Sequence, residues 1–74
     1  MSRLPSLTPA KVLRALKRAG FLEHHQKGSH LYLFDPERKR MTSVPMHTKD
    51  LPRPTMLEII EQAGFTQEEF REYL

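Results

Sequence analysis

Histidines are the residues of this chain that are best suited to do chemistry. The sequence contains four of them and no cysteine, so thiolate nucleophiles, thiolate metal sites and disulfides are excluded. An imidazole has an ordinary pKa of about 6.5, which allows it to accept or donate a proton near neutral pH. The sequence has neither a Ser-His-Asp order nor a glycine-rich phosphate loop. Any catalysis is therefore expected to depend on histidine, assisted by lysine and arginine.

His30 is the strongest candidate of the four. It follows Gly28 and Ser29, and a glycine, which has no Cβ atom, allows the backbone to turn tightly or to approach a ligand closely. His47 is the second candidate because it lies in a proline-rich segment, Pro45–Pro54, that is predicted to be a loop. Loops held by a rigid scaffold often carry functional residues.

The other two histidines, His24 and His25, are interpreted as surface residues. They are adjacent on a predicted strand, and neighbouring side chains of a strand point to opposite faces. A metal ion shared by the two is therefore not expected, and the sequence predicts neither a metal site nor a cofactor.

A helix is predicted before these histidines. It begins at Thr8-Pro9, a capping hydroxyl followed by a proline, and it ends at Gly20. Its apolar positions recur at the helical period, at Val12, Leu13, Leu16 and Ala19. Its opposite face is purely basic and consists of Lys11, Arg14, Lys17 and Arg18. A solvated helix face is the ordinary explanation, but the absence of any acid there also favours a polyanionic partner.

The middle of the chain is predicted to be a three-stranded antiparallel meander. Its strands are Phe21–Gln26, His30–Phe34 and Arg40–Met46, separated by turns at Lys27–Ser29 and Asp35–Lys39. In the middle strand His30, Tyr32 and Phe34 face one way and Leu31 and Leu33 face the other. Leu31, Leu33 and Val44 are expected to form the surface on which helices pack, which leaves His30 on the face away from the core.

Two helices close the chain. The first has a buried face formed by Met56, Leu57, Ile59, Ile60 and Ala63, and it ends at Gly64. The second opens with a capping box at Thr66–Glu69, flanked by Phe65 and Phe70. The predicted fold is α+β, with element order α-β-β-β-α-α and helices packed on one face of the sheet.

Length and charge limit the possible functions. The 74 residues are expected to form a single domain, 1–74, too small for a deep cavity. No apolar run is long enough to cross a membrane, and no signal peptide is recognised, so a cytoplasmic protein without membrane contact is expected. Residues 1–54 carry 11 basic and 4 acidic side chains, whereas residues 55–74 carry 1 and 5. This asymmetry indicates a surface for nucleic acid or for a partner.

Several segments resemble the HicA family of toxins from type II toxin–antitoxin systems. The matching segments, in order, are Gly20-Phe21, Gly28-Ser29-His30-Leu31-Tyr32, Val44-Pro45-Met46-His47 and Met56 through Thr66. The resemblance covers about Thr8 to Phe70. It implies a fold like that of double-stranded RNA-binding domains, an mRNA-cleaving ribonuclease (mRNA interferase) active in stress responses, and a HicB-type antitoxin partner. The family's catalytic histidine falls on His30, within its Gly-Ser-His motif.

The sequence departs from the family pattern just before the second helix. Where the family usually has Lys-Gly-Thr, this chain has Arg53-Pro54-Thr55, and a proline with fixed φ suits a helix start. The start of this helix also lacks the lysine cluster with which related modules span an RNA duplex. Binding of duplex RNA by that route is therefore not expected.

We expect such a ribonuclease to cleave RNA without a metal or other cofactor, because the neighbouring 2′-hydroxyl can attack the phosphorus. His30 is expected to act as general acid or base within the active-site turn Gly28–Ser29, with His47 or water as second proton carrier. Lys27 and Lys49 are expected to attract the scissile phosphate, and Tyr32 to stack on a base. The basic helix face, Lys11, Arg14, Lys17 and Arg18, is expected to guide the RNA strand.

Two alternatives remain open. The first is a non-catalytic RNA-binding or partner-binding module, which would need the basic helix but not His30. The second is a structural subunit of a larger assembly, which predicts no RNA affinity at low salt.

Overall fold

The computed structural model describes residues 4–47 and 49–74. Its elements are α1 (Pro9–Arg18), β1 (Leu22–Lys27), β2 (His30–Asp35), β3 (Arg40–Pro45), α2 (Arg53–Gln62) and α3 (Gln67–Arg71). The predicted α+β fold and its element order are confirmed, with strand limits within one residue or so of those expected. Thr48, in the predicted proline-rich loop, lies outside the described residues.

Helix α1 has the limits that its flanking residues predict. The Thr8 side chain accepts a hydrogen bond of 3.2 Å from the backbone N–H of Lys11, and Pro9 occupies the first helical position. At the other end Gly20 has a φ of 111°, a conformation in which a side chain would be strained. The N–H of Phe21 then donates to the carbonyl of Leu16 at 2.9 Å, which closes the helix.

The strands form one antiparallel sheet in the order β1-β2-β3. β1 and β2 are joined by a two-residue loop in which Gly28 has a φ of 62°. Glycine at the first position of such a loop provides a backbone twist that matches the twist of the strands. Side chains along β2 alternate between buried and partly exposed, as the period of two predicts.

One face of the sheet, called the inner face, carries the core. Leu31, Leu33 and Val44 on this face are buried in one cluster with apolar residues of all the helices. From α1 these include Val12, Ala15 and Leu16, and from the later helices Met56, Ile59, Ile60 and Phe70. The hydroxyl of Thr42 on β3 donates to the carbonyl of Ile59 at 3.3 Å, which ties α2 to the sheet. Helices therefore pack on one face only, as predicted.

The opposite face of the sheet, called the outer face, is not covered by any of the three described helices. Its cross-strand rows are Leu22–Phe34–Met41, His25–Tyr32–Ser43 and Lys27–His30–Pro45, each written from β1 to β3. Leu22 is 61% exposed and Met41 45%, so large apolar side chains on this face are open to solvent rather than packed in a core. The outer face is the open side of the domain.

A β-bulge in β1 corrects one prediction. The register shifts between Glu23 and His25, so His24 is an extra residue in the strand. As a result the side chains of His24 and His25 do not point to opposite faces of the strand. Their ring centroids lie 5.0 Å apart. The alternation rule failed here because it assumes one residue on each strand per step of the ladder, and a bulge breaks that count.

The end of the chain confirms the predicted capping box. Thr66 accepts from the N–H of Glu69 at 3.1 Å, and the Glu69 carboxylate accepts from the N–H of Thr66 at 2.8 Å. Phe65 lies 6.2 Å from Phe70, ring centroid to ring centroid, in the expected flanking contact. In the part of the chain that the structure describes, no helix is long and apolar enough to cross a membrane.

A buried carboxylate organises the turn between β2 and β3. Asp35 accepts hydrogen bonds from Arg38 Nε at 2.8 Å and from the N–H of Glu37 at 3.0 Å. The bond from Arg38 holds the pKa of Asp35 below its ordinary value, although burial acts in the opposite direction. The Arg38 guanidinium also lies 4.1 Å above the centre of the Phe65 ring, so this turn links the sheet to the connection between α2 and α3.

We predict that Asp35→Asn destabilises the fold at neutral pH. The pKa of Asp35 is lowered on folding, so its contribution to stability is present above about pH 4 and is lost as the pH falls through the folded-state pKa. Thermal unfolding followed from pH 7 to pH 2 should therefore show a steeper decline for the wild type than for the variant. Glu37→Gln, which changes an exposed acid in the same turn, is the matched control and should retain the wild-type profile. Identical profiles for Asp35→Asn and wild type would contradict this assignment.

Candidate active site

His30 is the first residue of β2 and lies directly after the tight turn. Its side chain is exposed, and its cross-strand neighbours are Lys27 on β1 and Pro45 on β3. Side chains of directly paired residues lie about 5 Å apart at Cβ, so the Lys27 and His30 side chains leave the sheet next to each other. This arrangement places a proton carrier beside a cation on an open face.

The loop that contains His47 begins next to this turn. The N–H of Met46 donates to the carbonyl of Ser29 at 2.7 Å, which extends the pairing of β2 and β3 by one step. His47 is the next residue, and it is exposed at the same end of the sheet as His30. Lys49 is also exposed in this loop. The structure therefore brings both candidate proton carriers to one end of the sheet.

Tyr32 lies on the outer face one row away from His30. Its ring is stacked on the ring of His25, with centroids 4.6 Å apart and planes within 5° of parallel. The sequence did not single out His25, because the bulge that brings it opposite Tyr32 has no signal in the residue types. The site thus contains an aromatic pair where one tyrosine was expected.

The basic face of α1 is exposed as predicted, but it does not adjoin His30. The buried side of α1 packs into the core on the inner face of the sheet, so this helix and its basic face lie on the side of the sheet opposite to His30. Two of them have partners within the domain. Lys17 forms an ion pair with Glu23, and Arg18 donates to the carbonyl of Tyr73 at 3.1 Å. The basic surface of α1 and the histidine turn therefore lie on opposite sides of the sheet.

A groove accompanies the basic face of α1. It has a volume of about 290 Å³ and is lined by Lys11, Arg14 and Arg18 together with apolar residues from both ends of the described chain. This groove combines three cations with apolar side chains, and it is separate from the site at His30, which is not among its lining residues.

The described residues contain no cluster of three or more histidine, cysteine or acidic side chains that is arranged to hold a metal ion. His24 and His25 are close to each other, but the ring of His25 is engaged by Tyr32. His30 and Lys27 are cross-strand neighbours beside the turn, and His47 lies at the same end of the sheet. An imidazole can accept or donate a proton, and an ammonium group attracts an anion.

Together these features define a class of small α+β domain that presents a histidine at a glycine turn on the open face of a three-stranded sheet. Comparison with protein families gives the identification: the family model of the HicA toxin of bacterial toxin–antitoxin systems matches residues 9–65, and the chain belongs to that family. The protein is thus a toxin whose natural partner is an antitoxin. Among curated proteins, none matches the chain.

Proposed function

We propose that this toxin is an endoribonuclease that cleaves mRNA without a metal ion, with His30 as its general acid or base. The observation that carries the proposal is the pairing of His30 with Lys27 on the open face of the sheet, in a chain of the HicA toxin family. An mRNA substrate also requires a cytoplasmic location.

The chemistry needs a base, an acid and a cation, and the proposed site residues are of these types. The 2′-hydroxyl oxygen of the RNA attacks the adjacent phosphorus and loses its proton to a base. The 5′-oxygen of the next nucleotide leaves and takes a proton from an acid, so the products are a 2′,3′-cyclic phosphate and a free 5′-hydroxyl. Negative charge on the phosphoryl oxygens is stabilised by the nearby cations, Lys27 first and Lys49 second.

The second proton carrier in this proposal is His47 or a water molecule. His47 is supported by its position, since Met46 is bonded to Ser29 of the active-site turn. His47→Ala separates the two cases, because it should reduce cleavage only if this imidazole carries the second proton.

The proposed antitoxin is of the HicB type and covers the outer face. This face is open and carries the exposed apolar side chains Leu22 and Met41 beside the histidines. An inhibitor that buries these side chains would also exclude RNA from His30.

The experiment is incubation of the purified protein with single-stranded RNA in excess chelator. We expect cleavage to proceed in chelator, because the proposed reaction uses no metal. The fragments should have 5′-hydroxyl ends, because the 2′-hydroxyl is the nucleophile. Absence of cleavage in chelator, restored by added divalent cation, would contradict the proposal.

The alternative of a non-catalytic RNA-binding module predicts a different pattern. In that case Arg14→Glu on the exposed face of α1 would abolish RNA binding, and His30→Ala would change nothing. Arg14 is preferable to Arg18 for this test because Arg18 is bonded to the carbonyl of Tyr73, and its replacement would also disturb the fold.

A further inference from the structure

The stacked pair on the outer face is open on one side. β2 is the central strand, and His25 on β1 covers the face of the Tyr32 ring that is directed toward β1. The cross-strand neighbour of Tyr32 on the other side is Ser43 on β3. A serine side chain is too small to continue a stack of rings, so the second face of the tyrosine ring is left free above Ser43.

A groove of about 670 Å³ lies at this position. Tyr32, Met41 and Ser43 line it on the outer face. Arg40 and Thr42, which alternate with them along β3, line its other side with Gln62 of α2, and Lys39 of the preceding turn completes the lining, so the groove crosses the edge of β3. None of the described residues that line it is acidic. The groove therefore combines an aromatic ring and an apolar side chain on the outer face with the cation Lys39 of the neighbouring turn.

These features fit a nucleotide of single-stranded RNA. Any of the bases can stack on a tyrosine ring, and the phosphates of the nucleotide are attracted by lysine and arginine. Tyr32 is two residues from His30 on the same face of β2, which corresponds to about 7 Å along the strand. A base bound here would belong to a nucleotide close to the phosphate at His30.

We propose that the slot between Tyr32 and Ser43 binds one RNA base next to the scissile phosphate, and that His25 is a positioning residue that holds the Tyr32 ring upright. The inference rests on the proposed ribonuclease function and adds to it a subsite and the residues that form it. The slot also gives Ser43 a role, because any large side chain at this position would close it.

The first test fills the slot. Ser43→Trp should weaken binding of a short RNA by roughly ten-fold or more, which is the loss expected when one stacked base is displaced. The probe is an oligonucleotide carrying 2-aminopurine, whose fluorescence falls on stacking, with 2′-O-methyl groups that prevent cleavage. Ser6→Trp, at an exposed serine before α1, is the matched control and should bind like wild type.

The second test concerns the positioning residue and does not depend on Ser43→Trp folding. His25→Ala should raise KM for RNA cleavage with little change in kcat, and His25→Phe, which restores a stacked ring, should bring KM back. Tyr32→Ala should lose the fluorescence change and Tyr32→Phe should retain it.

The outcomes separate the subsite from the function on which it rests. If the wild type cleaves RNA and the Ser43→Trp variant, shown to be folded by circular dichroism, binds and cleaves equally well, the subsite is overturned and the ribonuclease stands. An unchanged KM in His25→Ala overturns the role of that residue. If the wild type quenches the probe in a Tyr32-dependent way but cleaves nothing, the subsite is supported and the ribonuclease fails.

Discussion

Replacement of His30 by alanine is expected to lower the rate of RNA cleavage by about 10²–10⁴-fold, the usual contribution of a positioned general acid or base. His30 is exposed at the start of β2, so its removal leaves no cavity, and the change in unfolding free energy should stay within about 0.5 kcal/mol. Cleavage is measured on single-stranded RNA in chelator, and folding by thermal denaturation. In cells, induction of the variant should no longer arrest growth.

His24→Ala is the matched control for this experiment. His24 is also an exposed histidine of the sheet, but it belongs to the bulge of β1 rather than to the glycine turn. It should keep cleavage close to the wild-type rate. Full activity of a well-folded His30→Ala protein would remove His30 from the mechanism and leave the RNA-binding module as the better account.

The second large effect concerns the inner face of the sheet. Leu33→Ala should lower the free energy of unfolding by about 2–5 kcal/mol, because Leu33 is fully buried on the central strand and its truncation leaves a cavity. For a chain of this length the total stability is roughly 4–11 kcal/mol, so the variant is expected to be partly unfolded at 37 °C. Urea denaturation followed by circular dichroism measures the difference.

Leu22→Ala is the matched control on the outer face. The same substitution at a side chain that is 61% exposed should change the unfolding free energy by no more than about 0.5 kcal/mol. The pair therefore tests which face of the sheet is core and which is free to meet RNA or an antitoxin. Equal losses at the two positions would show that the outer face is also packed and would contradict its assignment as the open side.

Local signals were sufficient to predict the elements and the position of His30. The cap at Thr8-Pro9, the turn at Gly28 and the capping box at Thr66 act through backbone groups within a few residues, so the sequence contains all that they need. The alternation along β2 likewise placed His30 opposite the core, since a strand repeats every two residues whatever its partners are.

Contacts between distant segments could not be predicted in this way. The sheet separates the basic face of α1 from the histidine turn, because burying the apolar side of α1 requires that it pack on Leu31, Leu33 and Val44. The ion pair of Lys17 with Glu23 and the hydrogen bond of Arg18 to Tyr73 also depend on packing across the chain. From the charge pattern alone, these basic residues and His30 are expected to form one RNA-binding surface.

An exposed histidine at a glycine turn, four basic residues on one helix face and the motifs of a toxin family can all be recognised in the residue order. Which of these groups lie next to each other depends on the folded arrangement of the strands and helices. The bulge in β1 put His25 against Tyr32, and the small side chain of Ser43 left the other face of that ring open. Such features depend on register and on which side chains face each other across strands, and neither is encoded by a local backbone preference.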